Sequence, residues 1–200
     1  REVRVAWSGP PVRRVALTFD DGSHAAFTPA ILDLLAQSGA RATFFVVGRR
    51  VEAGGAEARD LLLRMTAEGH EIGNHSFSHA AASRLGRAAL HREIERTQEV
   101  VRDITGVSPR LFRPPGGAMD FDAVRSLAAT EMEIVAMWSV DPLDWAHPGK
   151  ERLWSRIGDA VAPGSIILLH DIHESTVRAL PLLIDLLQAK GYELVTVSEL

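Results

Sequence analysis

Arg14-Val15-Ala16-Leu17-Thr18-Phe19-Asp20-Asp21-Gly22 is the stretch on which the fold turns. Six residues rich in apolar and β-branched types read as a buried strand, and they end on two adjacent carboxylates and a glycine. An isolated Asp-Asp-Gly is also ordinary turn chemistry. Here the preceding strand delivers both charges to a strand end, where burial is costly unless a metal or partner compensates. Neighbouring residues point differently, so one carboxylate can ligate while the other faces a substrate.

Outward from this stretch the chain alternates strand and helix. Thr28-Pro29 reads as an N-cap with Pro at the first helical position, and Gly39 as the terminator. Ala42–Val47 is the next strand, a helix covers about 56–68, and Glu71–Asn74 is a short strand. A helical stripe of Leu90, Ile94, Val101 and Ile104 ends at Gly106. Leu111–Arg113 reads as strand before Pro114-Pro115-Gly116-Gly117. Asp120 caps a helix that should bury Phe121, Val124 and Leu127. Strands follow at 133–140, 165–169 and 193–197, with a helix ending near Lys190 whose Pro181 leaves open whether it is one helix or two. Buried strands alternating with helices specify an α/β fold with a parallel sheet. About seven strands over 200 residues suit a closed or nearly closed barrel, as one domain over 1–200. The chemically suggestive residues recur just after strands, and in a parallel barrel those ends share one face.

The composition excludes several classes. No cysteine is present, so disulfides, thiolate metal sites and thiol nucleophiles are out. A net charge of -4 leaves no basic footprint for nucleic acid. No apolar run reaches the length of about 18 residues that a membrane span needs. The chain opens at Arg1 rather than Met, so a trimmed edge is expected there, with any signal or anchor outside these residues.

His75 and His79, in Asn74-His75-Ser76-Phe77-Ser78-His79, stand at i and i+4 and share a face if the segment is helical. Surface or capping histidines make the same pattern. With Asp21 as third ligand, the pair suits a borderline-soft divalent ion, zinc first, with cobalt or nickel as alternatives. Three protein ligands leave positions open for water and substrate. Arg113, at a strand-to-loop position, reads either as a plain surface charge or as a group that could orient or electrostatically tune Asp20, and the rigid Pro-Pro-Gly-Gly after it offers a Gly116 N–H that could face a developing oxyanion. His170 follows an apolar strand, where a core histidine is the plain reading. As a general acid it needs a carboxylate to hold its proton, and Asp144 is the candidate. Trp145 reads as the wall of an apolar pocket or as core. His24, His70, His91, His147 and His173 read as solvated, and Trp7, Trp138 and Trp154 as packing residues.

Thr18-Phe19-Asp20-Asp21-Gly22, His75-Ser76-Phe77-Ser78-His79, Arg113-Pro114-Pro115-Gly116-Gly117, Asp141-Pro142-Leu143-Asp144-Trp145 and Leu168-Leu169-His170-Asp171 occur in this order. The set closely resembles the polysaccharide deacetylases of carbohydrate esterase family four, the nodulation-type deacetylase domain, over about residues 13–200. The resemblance implies a distorted, incomplete (β/α) barrel and hydrolysis of N-acetyl groups on amino sugars such as those of peptidoglycan or chitin. It implies Asp20 as base, Asp21, His75 and His79 as metal ligands, Arg113 as positioner of the base, and Asp144 as the residue tuning the acid His170. Trp145 and Leu168 would border the acetyl pocket. An acetylated glycan as partner, a monomer, and extracellular or cell-wall action follow from the same resemblance. An O-acetyl esterase on xylan, and a carbohydrate-binding pseudoenzyme, are the rivals. The third motif departs from the family, which usually carries an aromatic where this chain has Gly116. A glycine still offers its N–H, so the departure bears on the substrate groove rather than on the reaction.

Overall fold

The computed structural model describes residues 2–200. Seven parallel strands curl into an incomplete barrel, ordered β1-β6-β5-β4-β3-β2-β7. They are β1 (Arg4–Ala6), β2 (Arg14–Asp20), β3 (Ala42–Val46), β4 (Glu71–Asn74), β5 (Leu111–Phe112), β6 (Ile134–Ala136) and β7 (Ile166–His170). An eighth, β8 (Glu193–Leu194), pairs with Arg14 and Val15 of β2 and so occupies the edge that β3 takes over from Leu17 onward. Between the ends of the curl, Val140 bridges Ile167, and the Leu168 N–H donates to the Val140 carbonyl at 2.9 Å. The strand count suits a closed or nearly closed barrel, and the distorted, incomplete one that the family resemblance implies is what forms. β1 is not among the expected strands; it lies in a short, largely exposed run.

The two-residue period of a strand sorts the side chains. Along β2, Val15, Leu17 and Phe19 join the main core beneath the helices, with Phe44, Ile167 and Leu169 from β3 and β7. The alternate residues turn into the barrel, where Ala16, Phe45, Leu111, Ala136 and Ile166 form a smaller cluster. Thr18 and Asp20 continue the Ala16 row, and Arg113 continues the Leu111 row. Polar residues at those positions are thus buried inside the barrel toward its C-terminal rim.

Six helices cover the outside: α1 (Phe27–Ser38), α2 (Gly48–Ala67), α3 (Arg87–Thr105), α4 (Phe121–Ser126), α5 (Lys150–Ala160) and α6 (Glu174–Ala189). Their stops are those the glycines announce, since Gly39 and Gly106 close α1 and α3 in the left-handed conformation at φ 66° and 75°. Asp120 caps α4, accepting from the Ala123 N–H at 2.8 Å. α6 runs as one helix with Pro181 inside it.

Several expectations fail in detail. The strands expected over 133–140 and 193–197 are only Ile134–Ala136 and Glu193–Leu194. Thr28 does not cap α1, which starts at Phe27, two residues before Pro29; His24 Nδ1 accepts from the Ala26 and Phe27 N–H groups, and the Thr28 hydroxyl turns inward to Asp171. α2 begins at Gly48 rather than near 56, with a break at Gly55 (φ 55°). Phe121 is 74% exposed, because α4 is short and packs through Ala123 instead. Trp7 and Trp154 are exposed, whereas His70 is buried and accepts from the Ala42 N–H.

Candidate active site

Asp20 and His170 are register partners on the adjacent parallel strands β2 and β7, each at its strand's C-terminal end. Asp20 is buried, and its Oδ1 accepts from Arg113 Nη1 at 2.8 Å. Arg113 is fully buried and spends its guanidinium on fixed acceptors. Nε donates to the Ala136 carbonyl, Nη2 to the Met137 carbonyl, and Nη1 also to Thr18 Oγ1. The Phe45 ring lies 4.1 Å beneath it. A cation so tethered holds Asp20 in one rotamer and compensates its charge. Oδ2 of Asp20 accepts no hydrogen bond among the described residues and stands 3.7 Å from His75 Nε2.

The loop beyond β2 carries Asp21 at φ 76°, which turns its carboxylate toward the histidines. Asp21 Oδ1 lies 3.4 Å from His75 Nε2 and 2.9 Å from His79 Nε2. The segment 75–79 is not helical. Ser76 and His79 have φ of 63° and 65°, and a tight turn rather than an i,i+4 helical face brings the imidazoles together. Their ring centroids are 5.1 Å apart. His75 Nδ1–H donates to the Arg113 carbonyl at 2.7 Å, which fixes the ring with Nε2 turned toward Asp21.

One donor atom from each of Asp21, His75 and His79 lies within 4.8 Å of the others. Asp21 Oδ1 is buried and accepts no hydrogen bond despite its two close neighbours. Burial pushes the Asp21 carboxyl up, and the two imidazoles outweigh that and hold it well below the usual carboxylate range. Two imidazole nitrogens and a carboxylate oxygen that converge at these distances are suited to a divalent cation, and this N, N, O donor set fits zinc, cobalt or nickel.

On the other side, Asp144 is fully buried and uses both oxygens. Oδ1 accepts from His170 Nδ1–H at 2.7 Å and from the Trp145 N–H; Oδ2 accepts from the His170 N–H and the Thr176 hydroxyl. Burial lowers the affinity of His170 for its proton, but the Asp144 bond and charge overcome it, with help from Asp20 and Asp21. The His170 pKa is pushed up to about 9. His170 is therefore a cation at neutral pH, with Nδ1 engaged and Nε2 left to donate.

The other expected residues surround this centre. Leu168 is buried on the row of His170 and pairs in register with Thr18. Trp145 is 52% exposed, so it is surface rather than core. Gly116 has φ 62°, and its N–H donates to no partner among the described residues, whereas the Gly117 and Ala118 N–H groups are paired. A side chain at 116 would project into open space, while one at 117 would strike Trp138. Thr18 and Thr176 belong to the site and were not singled out from sequence. Thr18 lies two residues before Asp20 on the same strand face, a signal that was available. Thr176 lies 32 residues from Asp144, with none.

The polysaccharide deacetylase family profile matches residues 8–135. The chain belongs to the polysaccharide deacetylase family. It is 40% identical over 197 residues to the chitooligosaccharide deacetylase of Bradyrhizobium sp. (strain ANU 289), covering 91% of this chain and 88% of that one. It is also 40% identical over 191 residues to the peptidoglycan-N-acetylmuramic acid deacetylase PdaC of Bacillus subtilis (strain 168). That match takes in 96% of this chain but only 39% of PdaC, so the chain spans well under half of that relative. Among solved structures, the family member BA3943 from Bacillus anthracis, described as a pseudoenzyme, superposes with a TM-score of 0.92 at 28% identity, over 100% of this chain and 69% of the other. A polysaccharide deacetylase fold is thus compatible with both activity and its loss.

Proposed function

We propose that this chain is a metal-dependent hydrolase that removes N-acetyl groups from amino-sugar glycans, peptidoglycan or chitin-like oligomers, cleaving the acetamide rather than peptide bonds. The observation that carries this reading is the pairing of an Arg113-held carboxylate, Asp20, with an Asp144-held imidazolium, His170, on neighbouring strand ends beside the Asp21, His75 and His79 donors. A pseudoenzyme would be expected to lack a member of this set, and none is missing.

Asp21, His75 and His79 would hold the cation, zinc first, which when bound supplies Lewis-acid polarisation and a lowered pKa for water. Asp20 Oδ2 takes a proton from water as its oxygen attacks the acetyl carbon. Arg113 keeps Oδ1 engaged, so the proton goes to the free oxygen. The Gly116 N–H donates to the oxyanion. As the C–N bond breaks, His170 Nε2 gives its proton to the departing nitrogen. The products are acetate and a free amine. Trp145 and Leu168 border the acetyl group. In this reading the chain works as a monomer on extracellular or cell-wall glycan.

Acetate release from chitin oligomers, peptidoglycan fragments and acetylated xylan, with zinc, cobalt or nickel restored after chelation, tests the reading. Turnover is expected on the N-acetylated substrates. Release from xylan alone would assign an O-acetyl esterase instead. Asp20→Asn is expected to abolish release while zinc stays bound, and normal turnover by that variant overturns the assignment of the base.

A further inference from the structure

We propose that Glu93 is a positioning residue for the metal-ligand turn, fixing His79 through Ser78; this rests on Asp21, His75 and His79 being the ligands. Glu93 lies on α3 between the buried Leu90 and Ile94. Both of its carboxylate oxygens go to one residue. Oε2 accepts from the Ser78 N–H at 2.6 Å, and Oε1 from the Ser78 hydroxyl at 2.9 Å. Among the described residues no ion pair competes for it; its neighbour Arg96 pairs with Glu52 and stacks 3.6 Å over the Phe77 ring.

The two histidines are held very differently. His75 is buried, its ring tied to the Arg113 carbonyl and its N–H to the Val46 carbonyl. The Ser76 and Phe77 carbonyls accept from the Gly48 and Arg49 N–H groups at the start of α2. His79 has none of this support. Its side chain is 40% exposed, it sits at φ 65°, and apart from the Asp21 carboxylate 2.9 Å from Nε2 nothing among the described residues holds its ring. The last fixed point before it is Ser78, and among the described residues Ser78 is hydrogen-bonded by Glu93 alone. The chain therefore anchors its buried ligand from the barrel and its exposed ligand from a helix outside the barrel. Partners of this kind behind a ligand govern metal affinity.

Glu93→Gln keeps the length and removes the charge and one acceptor. Zinc affinity of the whole chain is read by competition with a chromophoric chelator, alongside melting of the metal-free protein. Glu93→Gln is expected to weaken zinc binding about tenfold or more, with little change in metal-free melting. Ser78→Ala removes the hydroxyl partner, and the double variant is expected to bind no more weakly than the poorer single one, because both break one clamp. Zinc affinity in Glu93→Gln within twofold of the unaltered chain overturns the proposal, as do fully additive losses. If the unaltered chain, like His79→Ala, binds no zinc, the ligand assignment itself has failed.

Discussion

Replacing Asp144 by Asn removes the charge that keeps His170 protonated while leaving the side-chain shape. The rise of His170 from 6.5 to about 9 corresponds to about 3 kcal/mol of preference for the protonated ring. Without the anion, burial remains and acts the other way, so His170 should titrate at or below its ordinary value. At pH 8 the acid form then falls roughly thirtyfold, while at pH 6 it falls less than about twofold. Loss of orientation is common to both pH values, so the ratio of the two losses isolates the proton. The same linkage acts on folding. A raised histidine pKa gives stability that is full below about 6.5 and is lost as pH rises through about 9. The stability gap between the unaltered chain and Asp144→Asn should therefore narrow between pH 6 and pH 10. What persists is the bond to the His170 N–H that Asn cannot accept with its NH2 group. Imidazole NMR titration of the zinc-free protein reads His170 directly, acetate release gives the rate profile, and urea unfolding gives the gap. A His170 pKa still near 9 in the variant would refute the reasoning.

Arg113→Met should cost about 3–5 kcal/mol in urea unfolding at pH 7, because it leaves Asp20 as an unpaired buried carboxylate; a cost below about 1 kcal/mol would mean Asp20 is compensated otherwise. Gly22→Ala should be poorly tolerated, since its Cβ would lie 2.1 Å from Asp171 Oδ2. About 1–3 kcal/mol of overpacking strain is expected by thermal melting, partly relieved by adding Asp171→Ala, and an unchanged melting temperature would exclude the clash.

The fold was legible where periodicity and punctuation agree. The β2 stretch announced a buried parallel strand, and Gly39 and Gly106 announced the ends of α1 and α3. β1 was passed over because its alternation of Val3, Val5 and Trp7 with Glu2, Arg4 and Ala6 is short and largely exposed, and α2 was read short because Gly54-Gly55 looks like a boundary and is a break within the helix. At the site, Asp20, Asp21, His75, His79, Arg113, Asp144 and His170 were each nameable from motif order. The turn that unites the histidines was not, because i,i+4 spacing reads as helix while left-handed Ser76 and His79 depend on contacts with α2 and α3. Thr176 and Glu93 stayed hidden for a related reason. Their partners are distant in sequence, and a lone Thr or Glu on an amphipathic helix looks like solvated surface.

The register between Asp20 and His170 has a consequence for how such a protein can change. Neighbouring strands lie about 4.8 Å apart, so the spacing of the two groups is inherited from the ladder rather than set by loops. A one-residue slip of either strand would turn its own group out of the barrel and away from the other, which forbids gradual adjustment of their separation. The loops carrying Gly116 and Trp145 are under no such constraint. Diversification should therefore proceed by loop replacement: rim segments can be exchanged while the spacing between Asp20 and His170 passes unaltered from one variant to the next.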